Sequence, residues 1–456
     1  MEKAAEKPSD TAKIKVGFVS LGCPKNQIDT EIMLKHLVDA GFTITGDETE
    51  ADVVIINTCA FIESAKKEAI ENILDIAWLK ENRNLKGIVV TGCLAERYRE
   101  EIFTELPEVD ALVGVGSLHE IEGAVRAASR GERFYSCLDK NLLELGGDRV
   151  LTTPPYTAYL KIAEGCDNCC TYCAIPSIRG VFRSRPIEDI VREAAELEGL
   201  GVRELNLVAQ DTSRYGLDLY GKYSLAALVR KITESTTIPW IRLLYCYPDK
   251  ITDELVEEFR TNDRLLKYID LPIQHIDDRI LKRMNRHGGR AVIEDAIARL
   301  RKAVPSIAIR TTAIVGFAGE GEEEFATLCR FVKKTRFTHF GAFPYSQEEG
   351  TPAAAFEDQI DEQTKLDRYD IIMQTQNAVV EENNRQAIGK RETVLVEGYD
   401  PAAEAYYGRT AADAPDIDRK IYFTADKKLA EGCFVPVRIT EAVDYDLFGK
   451  ADGEAF

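Results

Sequence analysis

Long apolar runs are missing from this chain of 456 residues; stretches such as Val53-Val54-Ile55-Ile56 are far too short to span a bilayer. The opening MEKAAEKPSD alternates charge and has no apolar core, so it does not read as a secretory signal. Both features lead to the expectation of a cytoplasmic protein that does not engage a membrane. Low-complexity tracts and internal repeats are also absent. Positive charge is in deficit: 58 Lys and Arg against 77 Asp and Glu leave a net charge of −19. That balance argues against a nucleic-acid coat or an anionic-membrane binder, and suits a basic partner. Histidine is scarce, with five residues dispersed along the chain. None has metalloprotease spacing or an evident nucleophile beside it, so acid–base hydrolysis has no support. Gly114-Val115-Gly116 lacks the rest of a dinucleotide fingerprint and reads as a turn.

Cysteine, by contrast, is plentiful. Eleven is an odd number, and in a reducing compartment such thiols read as metal ligands or reactive groups sooner than as disulfides. The length suggests about three domains. Residues 14–145 alternate short apolar runs (Val16–Ser20, Asp52–Asn57, Ile88–Thr91) with helical periodicity such as Asn26–Ala40. This is a βαβ pattern and predicts an open parallel α/β sheet. Residues 146–157 contain Gly146-Gly147 and Pro154-Pro155 and read as a linker. Across 158–387 six candidate strands, Tyr159–Ala163, Glu204–Ala209, Ile241–Tyr245, Tyr268–Leu271, Ala308–Val315 and His339–Phe343, alternate with amphipathic segments. Six repeats predict a partial (β/α)6 barrel, two short of the usual closed eight. From 388 to 456 short β-type runs follow one another without intervening helices, which predicts a small all-β, OB-like barrel.

The segment EGCDNCCTYC follows the first strand of the central domain and parses as C-x3-C-x2-C through Cys166, Cys170 and Cys173. Three thiolates this close can wrap one face of a 4Fe–4S cube and leave its fourth iron open. The rival parse adds Cys169 and reads two adjoining C-x2-C pairs. Structural zinc sites usually separate such pairs further, so this reading is the weaker one. Three more cysteines, Cys23, Cys59 and Cys93, each lie just beyond a predicted strand. In a parallel sheet the loops at the carboxyl ends of strands face one crevice, so these three sulfurs are expected to meet there as a second cluster site. Cys137, Cys246, Cys329 and Cys433 follow no pattern and read as packing residues.

The cluster loop, with Tyr172 before its last cysteine, resembles the radical S-adenosylmethionine superfamily. The phrases SLGCPKN, NTCAFIESA, TGCLAER, LVAQDTSRYG and YSQEEGTPAA are similar to those of the methylthiotransferases, and the terminal barrel resembles their TRAM module. The resemblance covers nearly the whole chain. Within that family the phrases look like the branch that methylthiolates the β-carbon of an aspartate in a small-subunit ribosomal protein; the alternative branch modifies an adenosine of transfer RNA. The resemblance implies two 4Fe–4S clusters, two molecules of S-adenosyl-L-methionine with different fates, an electron donor and a sulfur donor. It also implies cofactor contacts from Tyr172, Gln210, Gly316 and Arg310, the last being equally readable as a salt bridge at the edge of the core. Ala318 departs from the proline common in the family at that turn. Catalytic acids and bases are not assignable. Fourteen acidic against nine basic residues give positions 387–456 a net charge of −5. Stable nucleic-acid binding is therefore not expected of the barrel. A basic ribosomal protein is the expected partner, with Asp413, Asp416 and Asp418 as a candidate contact.

Overall fold

The computed structural model describes residues 14–456, so the opening segment read above as lacking a signal lies outside the described residues. The chain forms two compact units. The first comprises residues up to Thr152 together with Glu164–Asp167 and Cys173–Arg183; the second holds Thr153–Ala163, Asn168–Tyr172 and Ser184–Phe456.

The first unit is built on six parallel strands, β1 (Lys15–Ser20), β2 (Thr43–Thr45), β3 (Val53–Thr58), β4 (Gly87–Gly92), β5 (Ala111–Val113) and β6 (Phe134–Ser136), in the order β2-β1-β3-β4-β5-β6. Strands β3 and β4 are buried along their whole length. Their side chains alternate between two cores, with Val54, Ile56, Ile88 and Val90 on one face and Val53, Ile55 and Val89 on the other. A sheet covered on both faces explains why these strands read as continuous apolar runs. The order reverses at β1, which has β2 on one side and β3 on the other, and the crevice at such a switch point is where open α/β sheets bind ligands.

Residues 146–152 are not a free tether. The Arg149 guanidinium pairs with Glu31 at 2.6 Å, both side chains being buried, and the Thr152 N–H donates to the same carboxylate at 2.9 Å. The linker reading is corrected accordingly: this stretch is an integral strap of the first unit, fastened to the helix Pro24–Asp39.

The second unit contains β7 (Thr157–Lys161); two-residue strands β8 (Ala163–Glu164) and β9 (Arg183–Ser184) bracket the cysteine-rich loop. Then follow β10 (Glu204–Val208), β11 (Trp240–Leu243), β12 (Leu265–Asp270), β13 (Ala308–Val315) and β14 (His339–Pro344). The sheet order β14-β13-β12-β11-β10-β7 is parallel throughout and open, the expected partial barrel. A 26-residue helix, Glu362–Ala387, leads into β15 (Arg391–Asp400), β16 (Ala405–Thr410), β17 (Ile421–Thr424), β18 (Phe434–Val443) and β19 (Asp446–Ala451). These close into a barrel around Val394, Val396, Ile421, Phe423, Val435, Val437 and Leu447.

The terminal barrel and the central sheet share a buried ionic seam. The Glu204 carboxylate receives Arg409 at 2.5 and 3.0 Å and Arg242 at 2.9 and 3.1 Å. Nearby, Arg310 pairs with Asp418 at 2.6 Å, and the Tyr268 hydroxyl donates to Asp418 at 2.9 Å. Asp413 lies 2.9 Å from Arg419 and 3.3 Å from His339. Burial alone would raise the Asp413 carboxyl, but Arg419 and His339 hold it well below the usual carboxylate range. The reading of Asp413, Asp416 and Asp418 as one acidic docking cluster is thereby corrected. Asp413 and Asp418 are internal members of the seam, and only Asp416 of the three is exposed.

Candidate functional site

Each cysteine of the first unit is placed by the end of its strand. Cys23 lies three residues beyond β1 and occupies the N-cap of Pro24–Asp39; Cys59 directly follows β3; Cys93 directly follows β4 and opens the helix Cys93–Tyr98. Two glycines let the chain turn this sharply. Gly22 (φ 92°) lies so close to Cys59 that a Cβ there would meet the Cys59 sulfur at 3.2 Å, and a Cβ on Gly92 (φ 89°) would strike Thr58 O at 2.6 Å. Buried Asn26 ties the loop ends together through Leu21 O at 2.7 Å and Thr58 O at 3.2 Å. The three thiols are near enough to sense each other's charge. Burial, and then Cys93, push the Cys59 thiol up to about 12. Burial also raises Cys93, against the pull of Arg179. Cys23 behaves oppositely: burial is outweighed by Lys25, Arg179 and the N–H groups of Asn26 and Lys25, which hold it below its ordinary value.

The cysteine-rich loop contributes to both units. In the first, the Cys166 N–H donates to Gly180 O at 3.1 Å, and the Cys173 sulfur accepts from the Ile175 N–H at 3.5 Å. In the second, the buried Arg286 guanidinium senses Tyr172, Tyr247 and Cys170, whose charge raises it against the pull of burial. Cys166 and Cys170 are buried, whereas Cys169 is exposed with a left-handed backbone (φ 49°). Among the described residues no three His, Cys, Asp or Glu side chains are drawn together tightly enough for a single metal ion. N–H donors aimed at sulfur suit thiolates that carry a larger anionic group, as iron–sulfur clusters require.

Gln210 and Gly316 lie just beyond β10 and β13, at the carboxyl ends where barrel enzymes place their chemistry. Tyr172 is buried edge-on against Phe317, ring centroids 6.4 Å apart. Gly316 (φ 69°) has a reason of its own: a Cβ there would meet Lys365 Cγ at 2.3 Å, so the close approach is by the long helix. Its N–H donates to Glu320 at 3.1 Å, which Arg368 also holds at 2.9 Å. Arg310 is a correction. It lies near the other end of β13 from Gly316, and its guanidinium is occupied by Asp418; the salt-bridge alternative is the one present.

Sequence reasoning missed two polar clusters. In the first unit, Arg179 reaches Asp29 at 2.5 Å and the Cys93 sulfur at 3.4 Å. In the second, Lys250 bridges Asp211 and Asn168, both at 2.8 Å, placing the loop residue Asn168 beside the end of β10. Neither leaves a spacing signal, because each joins residues at least 39 positions apart. The unpatterned Cys246 is fully buried beside the Thr212 hydroxyl at 3.2 Å, and burial pushes its thiol up to about 12.

Three family models match in series: the uncharacterized protein family UPF0004 over residues 15–114, the radical SAM superfamily over 160–332 and the TRAM domain over 388–451. "Ribosomal protein uS12 methylthiotransferase RimO" of Thermoanaerobacter sp. (strain X514) is 49% identical over 436 residues, covering 95% of this chain and 99% of that protein. The protein of that name from Geobacter sulfurreducens (strain ATCC 51573 / DSM 12127 / PCA) is 49% identical over 442 residues, 96% of this chain and 99% of its own. Among solved structures, the radical S-adenosylmethionine methyltransferase TsrM from Kitasatospora setae, with cobalamin and a [4Fe-4S] cluster bound, aligns with TM-score 0.56 at 15% identity, covering 74% of this chain and 76% of that one. At that identity the likeness concerns the fold alone. Identity near one half over almost the full length, with all three modules in order, settles the family: the chain belongs to the RimO family of radical S-adenosylmethionine methylthiotransferases.

Proposed function

We propose that this enzyme methylthiolates the β-carbon of an aspartate in ribosomal protein uS12, using two 4Fe–4S clusters, one on Cys23, Cys59 and Cys93 and one on Cys166, Cys170 and Cys173. The observation that carries the reading is the arrival of Cys23, Cys59 and Cys93 at the carboxyl ends of three adjacent strands, at the switch point of their sheet. A β-carbon C–H bond is beyond any side-chain base; the bound cluster and S-adenosylmethionine supply hydrogen-atom abstraction instead. The chain's own part is to present thiolates, to place donors on their sulfurs (Arg179 on Cys93, Ile175 N–H on Cys173), and to bury Cys93, Cys166 and Cys170 from water. Tyr172, Gln210 and the backbone at Gly316 are the proposed cofactor contacts. The domain limits 14–145, 158–387 and 388–456 are retained as a functional division. An electron donor, a sulfur donor and a cytoplasmic setting complete the reading. No helix among the described residues is long and apolar enough to cross a membrane.

Mass spectrometry of ribosomal proteins and transfer RNA, from cells with and without the gene, tests the target. A methylthio group lost from uS12 supports it, and one lost from transfer RNA overturns it. Cys169→Ala is expected to retain iron content and cofactor cleavage near the parent values. Its side chain is exposed, and cysteine and alanine bear the same left-handed cost of roughly 1–2 kcal/mol. A folded but inactive Cys169→Ala protein would return the two-pair parse of the loop.

The acidic terminal barrel supplies the second expectation. The seam removes two acids (Asp413, Asp418) and two bases (Arg409, Arg419) from the surface, so the excess of acid survives. Reversing the exposed Asp426, Glu431 and Glu441 to Lys is expected to weaken uS12 binding and flatten its salt dependence. Unchanged affinity in a binding titration would exclude the barrel as the docking face.

A further inference from the structure

We propose that Arg179 is a positioning residue for the Cys23–Cys59–Cys93 centre. It holds a guanidinium N–H on the Cys93 sulfur and so raises the reduction potential of the cluster bound there; the inference rests on the two-cluster reading above. Arg179 ends the short helix Ile175–Arg179, and the chain then turns through Gly180 (φ 77°), where a Cβ would strike Asn141 Oδ1 at 2.4 Å. The turn holds the side chain in the interior of the first unit, where it is 2% exposed.

Its contacts are divided. Nη1 serves carboxylates, Asp29 at 2.5 Å and Glu164 at 3.6 Å. Nη2 donates to Asn26 Oδ1 at 2.9 Å and to the Cys93 sulfur at 3.4 Å. A guanidinium serving only as a buried counterion would set both arms of its fork on one carboxylate, the geometry that gains most from the pair. Here one arm is withheld from Asp29 and aimed at a thiol, with Asn26, which braces the loops after β1 and β3, fixing its direction. Hydrogen bonds to sulfur and local net charge are the levers by which a protein tunes an iron–sulfur potential. Without Arg179, the buried Asp29 and Glu164 carboxylates would lose the guanidinium that pairs with them beside Cys93.

The test uses the full-length chain carrying Cys166→Ala, Cys170→Ala and Cys173→Ala, reconstituted anaerobically, so that the paramagnetic signal belongs to one centre. Redox titration followed by electron paramagnetic resonance reads its midpoint. Arg179→Gln, which removes the charge, is expected to shift the midpoint down. Asp29→Asn, which leaves the guanidinium less compensated, is expected to shift it up, and Arg179→Lys falls between Arg179→Gln and the parent. A merely structural role would lower the melting temperature or the iron content and leave the midpoint of the retained cluster in place. If Arg179→Gln holds no iron, the Asp29→Asn arm decides alone: a rise supports the proposal and an unmoved midpoint overturns it. A parent that titrates while both variants match it overturns this inference only. A parent that binds no iron overturns the two-cluster reading along with it.

Discussion

Replacing Cys23, Cys59 and Cys93 together by alanine is expected to take the reconstituted protein from about eight irons to about four, because each cubane carries four. The same variant should still cleave S-adenosylmethionine reductively, since the loop with Cys166, Cys170 and Cys173 is intact, but deliver no methylthio group. Loss of any one of Cys166, Cys170 or Cys173 should abolish cleavage itself. The reasoning lies in where the chain puts the thiols. Cys23, Cys59 and Cys93 hang from three strands of the first unit's own sheet, so their removal does not touch the strand that leads into the cluster loop. Structural damage should also be small, because the buried Asn26 bonds that tie the loops together use backbone carbonyls and not the thiols. Iron analysis and the yield of 5′-deoxyadenosine read the two effects separately. A triple variant that keeps its full iron removes the first-unit site from the enzyme.

Glu204→Gln is expected to cost about 3–5 kcal/mol of stability, the usual consequence of leaving a buried charge without its partner. Glu204 is completely buried and answers two guanidiniums, Arg242 from β11 and Arg409 from β16, while Thr157 donates to it from β7 at 3.1 Å. Glutamine can accept some of these bonds but supplies no charge, so two arginines lose their shared counterion. Burial would raise the Glu204 carboxyl, yet Arg409 and then Arg242 hold it down to about 2. Against an unfolded value near 4.3, a shift of this size corresponds to about 3 kcal/mol. The sign follows from the depressed pKa. The stabilisation is fully present above about pH 4 and disappears as the pH falls through about 2. Denaturant unfolding at pH 7 should show the loss. The acid-induced decline of the parent between about pH 4 and 2 should be shallower in the variant. Equal stability of the two proteins at pH 7 would mean that the seam is not held by this charge.

Much of the architecture is legible in the sequence. Val53–Thr58 and Gly87–Gly92 were visible as strands because a sheet buried on both faces needs unbroken apolar runs. The six strands of the central sheet are legible to within a few residues, Ala308–Val315 at both ends and Glu204–Val208 and His339–Pro344 to within one residue. The short strands Thr43–Thr45, Ala111–Val113 and Phe134–Ser136 escaped, since three residues are too few to display a period. The strap at 146–152 escaped too, because its Gly and Pro residues announce a loop but not the buried Arg149–Glu31 pair that fastens it.

The sequence by itself determined the chemistry on offer: two sets of three cysteines, one packed into eight residues and one repeated at strand ends, on an α/β frame. Thiol spacing and strand periodicity are local properties, and local properties survive in a linear text. Which charges face solvent is a different kind of fact. Asp413 and Asp418 look like surface acids in the chain, and Arg310 reads equally as a cofactor contact or as half of a salt bridge. Each is instead consumed by a partner at least six residues away, and for Arg310 by one more than a hundred residues away. Arg179, six residues past the last cysteine of its loop, reaches a sulfur that the sequence assigns to another site. Only the tertiary structure decides such pairings, because burying a charge is costly unless folding brings its counterion to the same place.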